Sequence, residues 1–288
     1  MAAVLFGALA GALFGVLALA VRSGLRRGAD PEGGALVVTG VAVAVSAVLA
    51  APSAADGFRL ADLWPFLLAG ALVPGASQIL FILAVRDAGP SRAAILIGTA
   101  PLISVLIALT VLDEPFRPLL LVGTVLVVAG GAALAAERMR PEHFRLLGAV
   151  LALICAALFA VRDNIVRWAA RGTHPPPLVA STAALLAATA FVLAYLLLVR
   201  RRGLGSRLRP ALPAFAAAGV TLGLAYGSLL EAFDRGRVSV VAPLNATQSL
   251  WAVLLSAVLI GRSEVIGRRT VLAGLLVVAG CAIIGAVR

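Results

Sequence analysis

Ten runs of mostly apolar residues, each about as long as a helix needs to cross a bilayer, divide the sequence from end to end. An α-helix rises 1.5 Å per residue and the hydrocarbon core is about 30 Å thick, so roughly 20 apolar residues mark one crossing. Bounded by Arg, Asp, Pro or Gly clusters, the runs cover approximately residues 2–21, 35–52, 65–85, 91–112, 118–136, 146–166, 177–199, 211–233, 238–260 and 270–287. With nine short connections they use nearly all of the 288 residues, which leaves no room for a soluble domain. The runs are apolar all round and do not alternate at period 2, which excludes a β-barrel. The expected fold class is all-α integral membrane, with ten transmembrane helices and a multi-pass location in the cytoplasmic (inner) membrane.

The charge balance supports the same class. Only 13% of residues are charged, about half the share of a soluble domain, and 62% are hydrophobic. The net charge of +11 comes from 24 arginines, with no lysine, scattered through the gaps between the runs. No basic face or domain could track a phosphate backbone, so nucleic acid is excluded as a partner and the arginines read as topology signals. Two cysteines cannot form a disulfide framework. Ala18-Leu19-Ala20 has the form of a signal-peptide cleavage site, but no basic segment precedes the first run and the run is longer than a signal peptide's apolar core. It is expected to remain as a span.

Internal repetition sets the organisation. Ala12-Leu13-Phe14 with Val16, Val21, Arg22 and Arg26 matches Ala157-Leu158-Phe159 with Val161, Val166, Arg167 and Arg171 at an offset of 145. Asp87 and Gly89 match Asp234 and Gly236 at 147, and Glu114 with Leu126-Val127-Val128-Ala129-Gly130 matches Glu264 with Leu276-Val277-Val278-Ala279-Gly280 at 150. The chain therefore divides into two five-helix units, residues 1–145 and 146–288. Five is odd, so the second unit enters the membrane from the opposite side and the two form inverted repeats, an arrangement that places substrate sites near the midplane.

Several of these residues carry a family likeness. Gly89-Pro90-Ser91-Arg92-Ala93-Ala94 opens the fourth run, Pro101-Leu102 lies within it and Leu112-Asp113-Glu114 ends it. Gly123 and Val127-Val128-Ala129-Gly130 follow in the fifth, and Leu259 to Glu264 and Gly274 to Gly280 echo the pattern in the second unit. The sequence resembles the ten-helix, EamA-type members of the drug/metabolite transporter superfamily. That resemblance implies a secondary transporter of a small organic solute, since relatives export or import amino acids, nucleotide sugars, cations or drugs. Phe14-Gly15 stands where many relatives have Trp-Gly.

Orientation is read in two ways. Connections after odd-numbered runs carry 16 arginines, whereas the even connections and the termini carry 8. The positive-inside rule then puts the odd connections in the cytoplasm and both termini outside. The resemblance implies both termini inside.

Polar side chains at membrane depth cost about 2.5–3.5 kcal/mol on insertion scales and are functional candidates by default. Arg162, Asp163 and Asn164 stand where the first unit has Leu17, Ala18 and Leu19, so the fold itself does not require them. One reading solvates them at a helix end; the other makes Asp163 a proton- or cation-binding carboxylate with Arg162 beside it. Glu231, past Tyr226, either pairs with Arg235 one turn away or faces a cavity. Asn245, Gln248 and Ser249 would share one face of a continuous helix, with Trp251 off it. Pro74, Pro101 and Pro243 are expected to break helices near the cavity, and Gln78 is a further polar candidate. Asp113, Glu114 and Glu264 read as loop carboxylates that fix helix ends. Gly7, Gly11 and Gly15 read as a packing stripe.

Nothing in the residues points to an enzyme. His143 and His174 lie in proline-flanked connections, and neither metal-ligand spacing nor a phosphate loop is present. No catalytic residue, metal or cofactor is expected. The expected function is secondary transport, in the export direction and coupled to protons. The alternatives are a non-transporting helper subunit and a flippase for a lipid-linked substrate. The expected partners are a small-molecule solute and membrane lipid, with the chain a monomer or homodimer.

Overall fold

The computed structural model describes residues 1–55, 57–88, 96–136, 146–199, 204–248, 250–252, 254–255 and 268–287. Among the described residues there is no strand. The helices are α1 (Ala2–Arg26), α2 (Pro31–Ala54), α3 (Trp64–Gly70), α4 (Ser77–Ala88), α5 (Ala100–Val111), α6 (Pro118–Ala136), α7 (Leu146–Gly172), α8 (Pro177–Val199), α9 (Leu204–Arg235), α10 (Val238–Asn245) and α11 (Arg268–Val287). Six helical stretches are long and apolar enough to cross a membrane: Ala2–Arg26, Pro31–Ala54, Leu60–Phe81, Leu146–Gly172, Pro177–Val199 and Leu208–Arg235. Shorter apolar helices cover Ala100–Val111, Pro118–Ala133 and Leu272–Ile284. The chain is a multi-pass, all-helical membrane protein.

Local chemistry explains where helices start. Asp30 caps α2 by accepting the Gly33 N–H at 2.7 Å, with Pro31 at the first helical position and Glu32 in the first turn. The run Pro175-Pro176-Pro177 separates α7 from α8 in the same way. Where α7 and α9 outrun the expected 146–166 and 211–233, the added turns carry arginines.

Three of the apolar runs are interrupted. In the third, α3 passes through a π-helical segment, Ala71–Ala76, in which Val73 leaves helical geometry (φ −141°, ψ 118°) before a cis bond to Pro74. Proline lacks an N–H and disfavours helical geometry in the preceding residue, so Val73 is freed from the ladder. In the fourth, a turn at 98–99 precedes α5, and the Thr99 hydroxyl donates to the Leu96 carbonyl at 2.6 Å. In the ninth, α10 stops at Asn245, a turn covers 246–247, and the Thr247 hydroxyl donates to the Leu244 carbonyl at 2.7 Å. A hydroxyl bonding to its own preceding turn competes with the helical ladder at both places.

Helix α1 packs along α9, α9 also against α2, and α2 along α8. Helices α4 and α5 flank α7, α6 pairs with α11, and α10 lies against α1, α5 and α6. Glycines set the closest approaches. A Cβ on Gly123 would stand 2.9 Å from the Gly280 carbonyl oxygen, and one on Gly280 would stand 2.5 Å from that of Gly123, so α6 and α11 meet backbone to backbone. The Gly7, Gly11 and Gly15 stripe of α1 faces Leu244, Thr247 and Trp251.

One end of the bundle gathers the start of α1, the ends of α5, α7 and α9, and the start of α10. There the Arg235 guanidinium lies 5.4 Å from the Phe6 ring centroid, Arg171 Nη1 donates to the Leu112 carbonyl at 2.7 Å, and Arg167 Nη1 donates to those of Phe233 and Asp234 at 2.8 and 2.9 Å. Trp64 and Trp168 meet edge to face at the same end, 6.0 Å between centroids. At the opposite end, Phe215 of α9 sits against Gly24 of α1 and Gly34 of α2. Helix α1 thus begins at the end where α7 finishes.

Candidate functional site

Three consecutive polar residues in the middle of α7 are all buried: Arg162 is 1% exposed, Asp163 and Asn164 each 5%. Successive helical residues point about 100° apart, and burial of all three is possible because α7 has neighbours on several sides. The reading that solvated Arg162 and Asp163 at a helix end is corrected by this burial. Arg162 is likewise not a connection residue and drops out of the arginine count for the even connections.

Each of the three reaches a different neighbour. Arg162 Nη1 donates to the Tyr226 hydroxyl of α9 at 2.9 Å, and that hydroxyl donates onward to the carbonyl of Val73, the residue freed by the break in the third span. The Arg162 guanidinium also lies 5.5 Å from the ring centroids of Phe159 and Tyr226, within cation–π range. Phe14 of α1 meets Tyr226 edge to face at 6.4 Å. Arg162 Nε approaches Asp163 Oδ1 to 2.8 Å, an ion pair whose two atoms lack hydrogen-bond alignment. The other carboxylate oxygen, Oδ2, accepts the Ser104 hydroxyl of α5 at 3.1 Å. Asn164 Nδ2 donates to the carbonyls of Ser104 (3.1 Å) and Ala160 (2.9 Å). Its Oδ1 is buried with no hydrogen-bond partner among the described residues.

The structure thus brings Arg162, Asp163, Asn164, Tyr226 and the Pro74 break into one cluster. Ser104 and the Val73 carbonyl belong to it and were not among the sequence candidates. Ser104 is a lone hydroxyl in an apolar run, and only its place opposite α7 makes it a partner.

Other candidates fall elsewhere. Glu231 forms an ion pair with Arg235, 2.8 Å to Nε and 2.5 Å to Nη2, rather than joining Tyr226. Pro101 sits in the first turn of α5, where a missing N–H costs nothing, and so starts a helix instead of bending one. Pro243 lies inside α10 near its end. The single polar face expected for Asn245, Gln248 and Ser249 is corrected, because the turn at 246–247 separates Asn245 from Gln248. Asn245 is partly buried and its Oδ1 has no hydrogen-bond partner among the described residues, Gln248 is exposed, and Ser249 lies outside the described residues. Trp251 is 38% exposed beside Gly15, and Gln78 is partly buried in the first turn of α4.

The whole chain has known counterparts. A crystal structure 24% identical in sequence superposes with a TM-score of 0.80, covering 99% of this chain and 97% of the other, which establishes a shared fold. No curated protein matches the sequence. The model of the EamA-like transporter family matches twice, over residues 1–135 and again over 146–286. With nearly every residue inside one or other match, the chain belongs to the EamA-like transporter family, a family of membrane transporters.

Proposed function

We propose that the protein is a secondary transporter that carries a small organic solute across the cytoplasmic membrane by alternating access between two inverted five-helix repeats, residues 1–145 and 146–288. Export, with protons as the coupling ion, is the direction proposed. The opposite courses of α1 and α7 support the inversion. So do the interruptions at 98–99 and 246–247, at matching places in the two repeats.

The observation that carries the reading is the buried guanidinium–carboxylate pair of Arg162 and Asp163. It lies where both repeats meet: α7 and α9 supply Arg162, Asp163 and Tyr226, while Ser104 and the Val73 carbonyl come from the first repeat. An arginine and an aspartate are seldom kept at membrane depth for packing alone, since apolar side chains of similar volume fill such space at no penalty. Asp163 has the chemistry of a proton acceptor. Protonating it would release Arg162 from its counter-ion, which couples proton uptake to the hydrogen bond between Arg162 and Tyr226. Asn164 Oδ1 and Asn245 Oδ1, acceptors without a partner among the described residues, suit donor groups on a solute.

The test begins with the thermal stability of detergent-purified protein screened against amino acids, nucleosides, polyamines, quaternary cations, sugars and phosphates. A solute at 100 times its Kd adds about 2.7 kcal/mol, which is visible as a raised Tm. The solute identified is then followed into proteoliposomes under an imposed pH gradient. Asp163→Asn is expected to stay folded and to abolish pH-driven exchange. Unchanged exchange removes Asp163 from the coupling, and a screen without any shift removes the small-solute reading.

A further inference from the structure

Consecutive residues of α7 hold three buried polar atoms that have no hydrogen-bond partner among the described residues: Arg162 Nε, Asp163 Oδ1 and Asn164 Oδ1. The first is a donor and the other two are acceptors, and Arg162 and Asp163 each carry a full charge as well. Their neighbouring atoms are engaged within the protein. Asp163 Oδ2 accepts from Ser104, Asn164 Nδ2 donates to the carbonyls of Ser104 and Ala160, and Arg162 Nη1 donates to Tyr226. Buried polar atoms in this condition call for a ligand chemistry that would use them.

Charge decides which chemistry that is. Among the described residues no third ionised side chain acts on the pair, so Arg162 and Asp163 balance only each other, 2.8 Å apart and almost wholly shielded from solvent. A solute that reaches either group has to part them. Taking one partner away from a buried ion pair leaves a charge with nothing to balance it, which is strongly unfavourable. An anion would take Arg162 and leave Asp163 bare, and a cation would do the reverse. A solute with an anionic and a cationic group a few atoms apart replaces both partners at once, and every charge keeps a hydrogen-bonded counter-charge.

One other load leaves no bare charge: an acid anion on Arg162 together with a proton on Asp163. It requires the proton and the solute to travel together, whereas exchange requires them to compete for one carboxylate. A protonated amine on Asp163 does compete with a proton there. Asn164 Oδ1, on the next residue, asks for a donor, and a protonated primary amine has three N–H groups where a quaternary one has none.

We propose that the solute is a zwitterion, with a carboxylate and a protonated primary amine a few atoms apart, and that it replaces the internal ion pair: its carboxylate pairs with Arg162, and its amine with Asp163 and Asn164 Oδ1. The inference rests on the transport reading and adds to it the charge pattern of the solute.

The thermal stability of the full chain in detergent tests it, with alanine, leucine and phenylalanine each set against the amine and the acid of the same skeleton. The amines are ethylamine, 3-methylbutylamine and 2-phenylethylamine; the acids are propionate, 4-methylpentanoate and 3-phenylpropionate. At least one amino acid is expected to raise the Tm, and its amine and acid to bind at least about a hundredfold more weakly. Removing one charge is then expected to exchange the preference. Asp163→Asn leaves Arg162 to be balanced and is stabilised by the acid, Arg162→Gln leaves Asp163 and is stabilised by the amine, and neither keeps the response to the amino acid. If a variant yields no folded protein, the comparison on the unaltered protein decides. An acid or amine that stabilises the unaltered protein as well as the amino acid of its skeleton overturns the inference. So does stabilisation by nucleosides, polyamines, quaternary cations, sugars or phosphates with none by the three amino acids. Either result leaves the transport reading intact, whereas no shift with any solute refutes the small-solute reading and this inference with it.

Discussion

A guanidinium at membrane depth has five N–H donors and one positive charge to satisfy. Arg162 meets the charge with Asp163 and two aromatic ring faces and donates from Nη1 to Tyr226, while its Nε stands 2.8 Å from Asp163 Oδ1 without hydrogen-bond alignment. Tyr226 is the hinge of this arrangement, because one hydroxyl accepts from Arg162 and donates to Val73. Tyr226→Phe keeps the ring and its contact with Phe14 but leaves a buried N–H and a buried carbonyl without their partner. The expected cost is about 1–3 kcal/mol, read as a lowered Tm of the purified protein, with transport impaired more than stability. A Tm equal to that of the unaltered protein would show that other groups take over both bonds. The pairing of Arg162 with Asp163 was open to sequence reasoning, since the two are adjacent. The role of Ser104 was not, because a serine in an apolar run looks the same whether it faces a carboxylate or its own backbone.

At the scale of elements, close approach decides more than hydrophobicity. These helices are apolar nearly all round, so burying apolar surface does not select one neighbour over another, and small residues that let backbones meet do so instead. The tightest case is Gly70 at the end of α3, where a Cβ would stand 1.9 Å from the Ala184 carbonyl oxygen of α8. Backbone cannot rotate aside as a long side chain can. Gly70→Ala is therefore expected to push α3 from α8 and lower stability by about 1–3 kcal/mol or more, measured by thermal unfolding. Gly205, where a Cβ meets nothing within 4 Å, provides the control, and its change to Ala should be close to neutral. Sequence reasoning located the starts of α6 and α8 to the residue, because Pro begins both. It expected breaks at Pro101 and Pro243 but did not place the turns at 98–99 and 246–247, because Thr in an apolar run fits an unbroken helix equally well.

At the scale of the whole molecule, the placement of arginines bears on which face lies in the cytoplasm. Arg162 is buried, which widens the arginine excess of the odd connections over the even ones. By the positive-inside rule the face where the chain begins is then external. A lone cysteine at Gly203→Cys, in the connection after the seventh run, is accordingly expected to resist an impermeant thiol reagent in whole cells and to react once the membrane is opened. Reaction in intact cells would reverse the assignment and agree with the family resemblance instead.

The sequence by itself determined the class and the number of apolar runs, because these depend on length, hydropathy and charge accumulated over many residues. Family membership was legible for the same reason: matched motifs such as Leu112-Asp113-Glu114 are local. Tertiary structure alone decided which polar groups meet. Burial turned Arg162 and Asp163 from possible helix-end residues into a paired centre, and proximity assigned Glu231 to Arg235 and Glu114 to the start of α10. A hydrogen bond acts over about 3 Å, whereas Ser104 and Asp163 lie 59 positions apart, Glu114 and Val238 124, and Val73 and Tyr226 153, and no pattern along a chain encodes those separations.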